Sequence, residues 1–211
     1  MKTYKCCVSS VEIVSPSIDE MITINIKRFR EFYATFINTV GQIALQHGCE
    51  LLAPLGDGFK FSFPQKNKMT DVGTITNVLE CLLEQLEIGQ SLSIDMGNAA
   101  ISGGQELRDI SCRICTDYET LSEHEPGDEI ELVPVFLSID RIRSRTLALA
   151  NTIIVGDQFY KEIQSFPILQ EGYHFERKDD CVFNNVAYPL YQLSRRARNQ
   201  KDLTSKSVTA I

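Results

Sequence analysis

No apolar run in this 211-residue chain approaches the ~18 residues that a membrane-crossing helix requires. The opening residues, MKTYKCCVSSVEIV, lack a charged leader, a long apolar core and a small-residue cleavage site. These absences predict a cytoplasmic protein with no membrane partner. Basic charge is in short supply, with 21 Lys and Arg against 28 Asp and Glu and a formal net charge of −7. Counterion release needs a basic surface, so no nucleic-acid partner is expected. The basic stretch SRRARNQK (194–201) reads as a solvated end. A Walker A run, an H-E-x-x-H and a G-x-S-x-G are all missing, so the enzyme classes they mark gain nothing. Internal repeats and low-complexity segments are missing too.

Cysteine is present but unarranged. Seven of them, an odd number scattered along the chain, fit a reducing compartment rather than a disulfide framework. The single CxxC, Cys112 to Cys115, has no second ligand pair at zinc spacing and reads as strand packing. A hydrophobic fraction of 43% and a charged fraction of 23% are ordinary for a domain with a real core. The length suits one domain, taken as residues 1–194, followed by a polar tail over 195–211.

Periodicity supplies the elements. Residues 4–14, rich in β-branched side chains, predict a buried first strand. Ser17 to Glu20 has capping-box spacing. The stripe Ile22, Ile26, Phe29, Tyr33, Phe36, Ile37, Val40 and Ala44 predicts a core helix, stopping near His47-Gly48. ELLAPL and FKFSF read as a hairpin across Gly56-Asp57-Gly58, with Lys60 and Ser62 alternating against Phe59, Phe61 and Phe63. Val72, Ile75, Leu79, Leu82 and Leu86 trace a second helix, and SLSIDMGNAAI (91–101) reads as a fourth strand. The order β-α-β-β-α-β predicts an α+β fold: a ferredoxin-like core with an antiparallel sheet and helices on one face. Residues 98–135, with DISCRIC as a strand candidate, read as a protruding arm or insertion. SIDRIRSRTLALA then reads as a basic helix, TIIVG as a strand, DQFYKEI as a short helix, and YHFER and YPLYQL as closing strands.

An acid between two glycines at a hairpin tip is by itself ordinary turn chemistry. Its surroundings say more. QHGCELLAPLGDGFKFSFP resembles the HGG…GDG stretch of class III nucleotidyl cyclases, the adenylate and guanylate cyclase homology domain. SLSIDMGNAAI resembles a strand of that family, and LANTIIVGDQFYKEI resembles the stretch after its catalytic helix. The resemblance covers most of residues 4–193, and GDG with its apolar flanks is the most specific piece.

The resemblance implies a nucleotide cyclase-like fold that converts a nucleoside triphosphate into a 3′,5′-cyclic nucleotide and pyrophosphate. Two Mg²⁺ or Mn²⁺ ions on two carboxylates would activate the ribose oxygen and neutralise the leaving group. Asp57 falls on the hairpin metal ligand, with Gly56 and Gly58 leaving room for ions and phosphates. Glu12 falls on the first-strand ligand, where the family has Asp; its oxygens still suit a hard cation. Arg143 falls on the arginine that stabilises the transition state, with Asp140 or Ser138 near the ribose-orienting Asn. A competing register puts Asp109 and Arg113 in those roles.

The sequence also departs from the family. Ser15-Pro16 replaces a Gly-Phe pair, and the proline removes a backbone donor. Ala53 stands where the base-selecting lysine belongs, and Asp95 where the family has His. Three readings stay open: a divergent cyclase, a catalytically degenerate pseudo-cyclase serving as a nucleotide-binding or dimerisation module, and an unrelated ferredoxin-like binding protein. The family builds its site between subunits. That implies a homodimer burying at least ~1,000 Å², in which Arg143 of one chain faces Asp57 of the other and Phe136, Leu137 and Phe159 lie near the cleft edge.

Overall fold

The first strand is central because both of its faces find cover. The computed structural model describes residues 3–14, 26–49, 51–64, 71–101, 111–122, 137–146, 149–183 and 185–196. In it β1 (Thr3–Val14) pairs antiparallel with β3 (Gly58–Pro64) on one side and with β4 (Ser111–Ser122) on the other. β2 (Leu51–Pro54) completes a hairpin with β3. The order β4-β1-β3-β2 is the expected ferredoxin-like core. The sheet then continues through β5 (Thr152–Gly156), β9 (Leu190–Arg195) and β6 (Tyr173–Arg177). β5 runs parallel to β4, and every other pairing in this sheet is antiparallel. β7 (Cys181–Phe183) and β8 (Val186–Tyr188) form a separate small hairpin.

The alternation of strand side chains divides the core in two. Cys7, Val11 and Ile13 of β1 share one face with Phe59, Phe61 and Phe63 of β3 and with Cys112 and Ile114 of β4. That face packs on α1 (Ile26–Gln46) through Phe36 and Val40, and on α2 (Val72–Ile101) through Ile75, Leu79 and Leu82. α4 (Asp157–Gln164) adds Phe159 and Ile163, and α5 (Pro167–Gly172) adds Leu169. The other face, with Cys6, Val8, Cys115 and Ile154, lies under Ile139 and Ile142 of α3 (Leu137–Arg145). Helices therefore cover both faces rather than one. Lys60 and Ser62 lie opposite the three phenylalanines, as the sequence pattern predicts. α1 stops where Gly48 takes φ 83°, a left-handed position that glycine adopts without strain. Ser17 to Glu20 and Ile22 lie outside the described residues. No helix among the described residues is long and apolar enough to cross a membrane.

Three further expectations change. Residues 91–101 are not a strand but the last turns of α2. Extending a formed helix costs little per residue, and Gly89 lets the helix lie close against Cys112 of β4. The fourth core strand is instead residues 111–122, which the sequence places in an arm. β4 runs along the whole length of β1, so this part of 98–135 is core, and 98–101 belong to α2. Residues 102–110 and 123–136 lie outside the described residues. Phe159, expected near a dimer cleft, is fully buried in its own chain, edge-on to Tyr118 at 5.2 Å.

Candidate functional site

Strand register brings the candidate residues to one end of the sheet. β1 sets Glu12 opposite Gly58 of β3 and opposite Arg113 of β4. Alternation puts Glu12 on the α3 face, where it is only 2% exposed. A carboxylate that deep requires partners, and it has two. Arg113 donates from Nε and Nη2 to Glu12 Oε1 at 2.8 and 2.6 Å. Arg143, in the last turn of α3, donates from Nε and Nη2 to Oε2 at 3.1 and 2.6 Å. Each guanidinium spends a two-pronged fork on one oxygen, so both oxygens are taken.

Arg143 also reaches the hairpin tip. Its Nη2 lies 3.8 Å from Asp57 Oδ1, and its Nη1 donates to Asp140 Oδ1 at 3.3 Å. Lys60 Nζ donates to Asp140 Oδ2 at 2.8 Å. Glu12, Asp57 and Asp140 are thereby matched by Lys60, Arg113 and Arg143, three negative groups against three positive. Burial works to lower the pKa of Arg143, but the hydrogen bonds and charge of Glu12, then the charge of Asp57, more than offset it and hold the value above the usual one.

The turn itself is tied down. Asp57 accepts a backbone hydrogen bond from Ile13 at 2.9 Å, and Leu55 donates to the carbonyl of Gly58 at 2.9 Å. Tyr33 donates its hydroxyl to the carbonyl of Gly56 at 3.2 Å. A Cβ on Gly58 would lie 1.9 Å from the carbonyl oxygen of Val11, whereas one on Gly56 would meet nothing within 4 Å. Gly58 is glycine because β1 passes against it, a reason different from clearance for phosphates.

Of the sequence candidates, Glu12, Asp57, Asp140, Arg143 and Gly58 come together, and Gly56 completes the turn. The competing arginine, Arg113, arrives at the same carboxylate, so the two registers converge on Glu12. Its companion Asp109 lies outside the described residues. Ser138 stands away from Glu12, with its backbone N–H donating to Glu119 at 2.6 Å. Asp95 is exposed on α2, and Ala53 sits on β2 opposite Lys60. Lys60 is the member that the sequence marks only as the polar side of an alternation. Arg143 meets Asp57 of its own chain, as Ile139 and Ile142 fasten α3 to its own sheet.

This donor set does not fit a two-ion Mg²⁺ or Mn²⁺ centre. A divalent ion between Glu12 and Asp57 would have to displace the guanidinium of Arg143 and compete with Arg113 for the other oxygen. No group of three or more His, Cys, Asp or Glu among the described residues is placed to hold a metal. The CxxC pair fares no better. Cys112 and Cys115 fall in opposite halves of the core, and burial pushes the Cys115 thiol up to about 12 and the Cys112 thiol upward as well.

Neither a protein-family model nor a curated protein matches the sequence. Solved structures match its shape. The adenylyl cyclase CyaB from P. aeruginosa superposes with a TM-score of 0.65 at 14% identity, over 93% of this chain and 97% of that one. The guanylate cyclase domain of RhGC from Catenaria anguillulae, in complex with GTP, gives 0.52 at 15% identity, over 93% and 100%. A non-canonical dimeric guanylyl cyclase domain of the RhoGC fusion protein from the aquatic fungus Blastocladiella emersonii gives 0.55 at 11% identity, over 93% and 100%. The chain has the fold of class III nucleotidyl cyclase domains. Residues 91–101 are helical rather than the strand assigned to them, and β4 supplies the fourth core strand.

Proposed function

We propose that this chain is a catalytically degenerate cyclase-fold module whose role is association rather than cyclic-nucleotide synthesis. One observation carries the reading: Arg143 lies between Glu12 and Asp57, the two carboxylates that metal-dependent cyclisation would need. Cyclase chemistry at this place requires an excess of negative charge that two cations then overcompensate for a triphosphate. Here the charges already cancel. Removing Arg143 or Arg113 from the buried Glu12 carboxylate costs about 3–5 kcal/mol, which a weakly bound ion does not return. The proline at position 16 supports the same reading, since it removes a backbone donor from the stretch that would cradle phosphates.

The partner we propose is a second copy of the chain. A cyclase-fold neighbour in a non-canonical dimeric form, beside monomeric forms of the same domain, lends some support, as does the prevalence of twofold pairing among soluble assemblies. Arg143 and Asp57 meet within one chain, so the pairing is not needed to complete their contact. The test has two arms. Purified chain incubated with each of ATP, GTP, CTP and UTP plus Mn²⁺ should yield no cyclic nucleotide, and a product that disappears in Asp57→Ala would overturn the proposal. Sedimentation at micromolar concentration should show a dimer, and a strict monomer would remove the association role.

A further inference from the structure

A second buried acid lies on the same sheet face as Glu12, four residues beyond Arg113 on β4. Asp117 Oδ1 accepts backbone hydrogen bonds from Tyr118 at 2.8 Å and from Phe159, in the first turn of α4, at 2.9 Å. The N-cap of α4 is Gly156, which offers no side chain, so Asp117 caps this helix from the neighbouring strand. The carboxyl group fills the space over Gly156: a Cβ there would stand 2.2 Å from Oδ2. Capping accounts for Oδ1 alone. Among the described residues no donor reaches Oδ2, although Asp117 is only 7% exposed.

Asp117 lines a cavity of about 210 Å³ between β4, α3, the start of α4 and the β7–β8 hairpin. Ile142, Leu190 and Tyr188 give it apolar walls. Ser138 contributes a hydroxyl whose Oγ is buried without a hydrogen-bond partner among the described residues. Glu119 and Asp157 add carboxylates to the lining, and Arg141 is its one basic residue among the described residues. The excess is negative, the walls are apolar, and no set of three metal ligands is present among the described residues. A bare metal ion therefore does not suit the space.

We propose that this cavity is a binding site for a small, flat organic cation, an amidinium or a protonated amino-heterocycle. The volume falls below the usual ligand-pocket range and suits one ring with its substituent, ~10 non-hydrogen atoms. The cationic N–H groups bond Asp117 Oδ2 and Ser138 Oγ, and the ring lies against Ile142, Leu190 and Tyr188. The site involves none of Glu12, Asp57 or Arg143, so it stands independently of the association reading.

Burial sets how this site responds to pH. It raises Asp117 to about 7 against the two backbone hydrogen bonds that lower it, and Glu119 on β4 and Asp157 on α4 push it further. Lys161 engages Asp157 on α4, and Cys181 on β7, Arg141 on α3 and Tyr188 on β8 complete the ionisable surroundings among the described residues. A cation that requires the carboxylate must expel a proton below this value and none above it.

The experiment titrates benzamidine into the full chain by calorimetry, with neutral benzamide as the isostere. Benzamidine should bind at about pH 8 in the millimolar range or better, and benzamide at least tenfold more weakly. Affinity should fall by about tenfold per unit below pH 7 and level above it. Asp117→Asn keeps the Oδ1 acceptor that caps α4 and removes the charge, so it should melt cooperatively and lose binding at least tenfold. Equal binding of the two compounds, a pH-independent affinity, no binding at all, or wild-type binding in Asp117→Asn would each overturn the proposal. The pH series needs no variant and decides the matter if the variant fails to fold.

Discussion

Glu12 and Arg113 stand directly opposite one another on β1 and β4, joined by two hydrogen bonds of 2.6 and 2.8 Å and buried at 2% and 3% side-chain exposure. A pair this deep stabilises little in net terms, because desolvation offsets its attraction, but breaking it is costly. Glu12→Gln leaves Arg113 and Arg143 facing a neutral amide. Urea unfolding should show a loss of about 3–5 kcal/mol. The double variant Glu12→Met with Arg113→Met removes the buried charges together and should recover most of that loss. A double-mutant cycle measures the coupling directly, and a strictly additive cycle would mean that the two side chains do not depend on each other.

Removing Arg143 should convert the cluster from charge-balanced to acidic. In Arg143→Ala the carboxylates of Glu12 and Asp57 lose the cation that lies 2.6 and 3.8 Å from them. Arg113 still holds one oxygen of Glu12, so the affinity gained is modest. Mn²⁺ should bind this variant in the millimolar range and raise its melting temperature, while the wild-type chain responds to neither. Electron paramagnetic resonance of free Mn²⁺ reads the difference. Equal Mn²⁺ uptake by both proteins would show that the guanidinium does not compete with a metal.

The two glycines of the turn should separate cleanly. Gly58→Ala places a Cβ 1.9 Å from the carbonyl oxygen of Val11, a backbone atom that cannot rotate away. The β1–β3 pair must part at its end, with an expected loss of about 3 kcal/mol or more. Gly56→Ala meets open space and should stay within about 1 kcal/mol of wild type. Thermal melts of the two single variants decide this, and equal effects would refute it.

The parts legible in the sequence are those whose causes are local. The apolar stripe of α1, the Phe-x-Phe-x-Phe alternation of β3 and the stop at Gly48 each follow from neighbours in the chain. Residues 91–101 mislead because SLSIDM alternates over a length too short to outweigh a helix already running through it. β4 was hidden for the opposite reason. Arg113, Thr116 and Asp117 are polar yet buried, and their cover comes from distant residues: Arg113 pairs with Glu12, 101 positions earlier. Hydropathy does not register such partners. The same distance hides the role of Arg143. Its spacing from the β5 stretch identifies the helix, but only the packing of Ile139 and Ile142 shows that the side chain turns toward its own Glu12.

Asp117 should give the folded chain a pH dependence of definite sign. Its carboxyl is raised from 3.8 to about 7, by burial first. The native state thus binds the proton more tightly than the unfolded chain, and unfolding releases it. Stability from this group is fully present below about pH 4, declines as pH rises toward 7, and is flat beyond. Asp117→Asn presents the same acceptor to Tyr118 and Phe159 without the ionisation. Urea unfolding of both proteins in steps from about pH 4 to about pH 8 should show the variant gaining on wild type by a few kcal/mol across that window, with no further gain above it. The difference between the two curves cancels the carboxylates they share. If wild type instead gains on the variant as pH rises, the helix N-terminus stabilises the ionised form more than burial opposes it, and the stated sign is wrong.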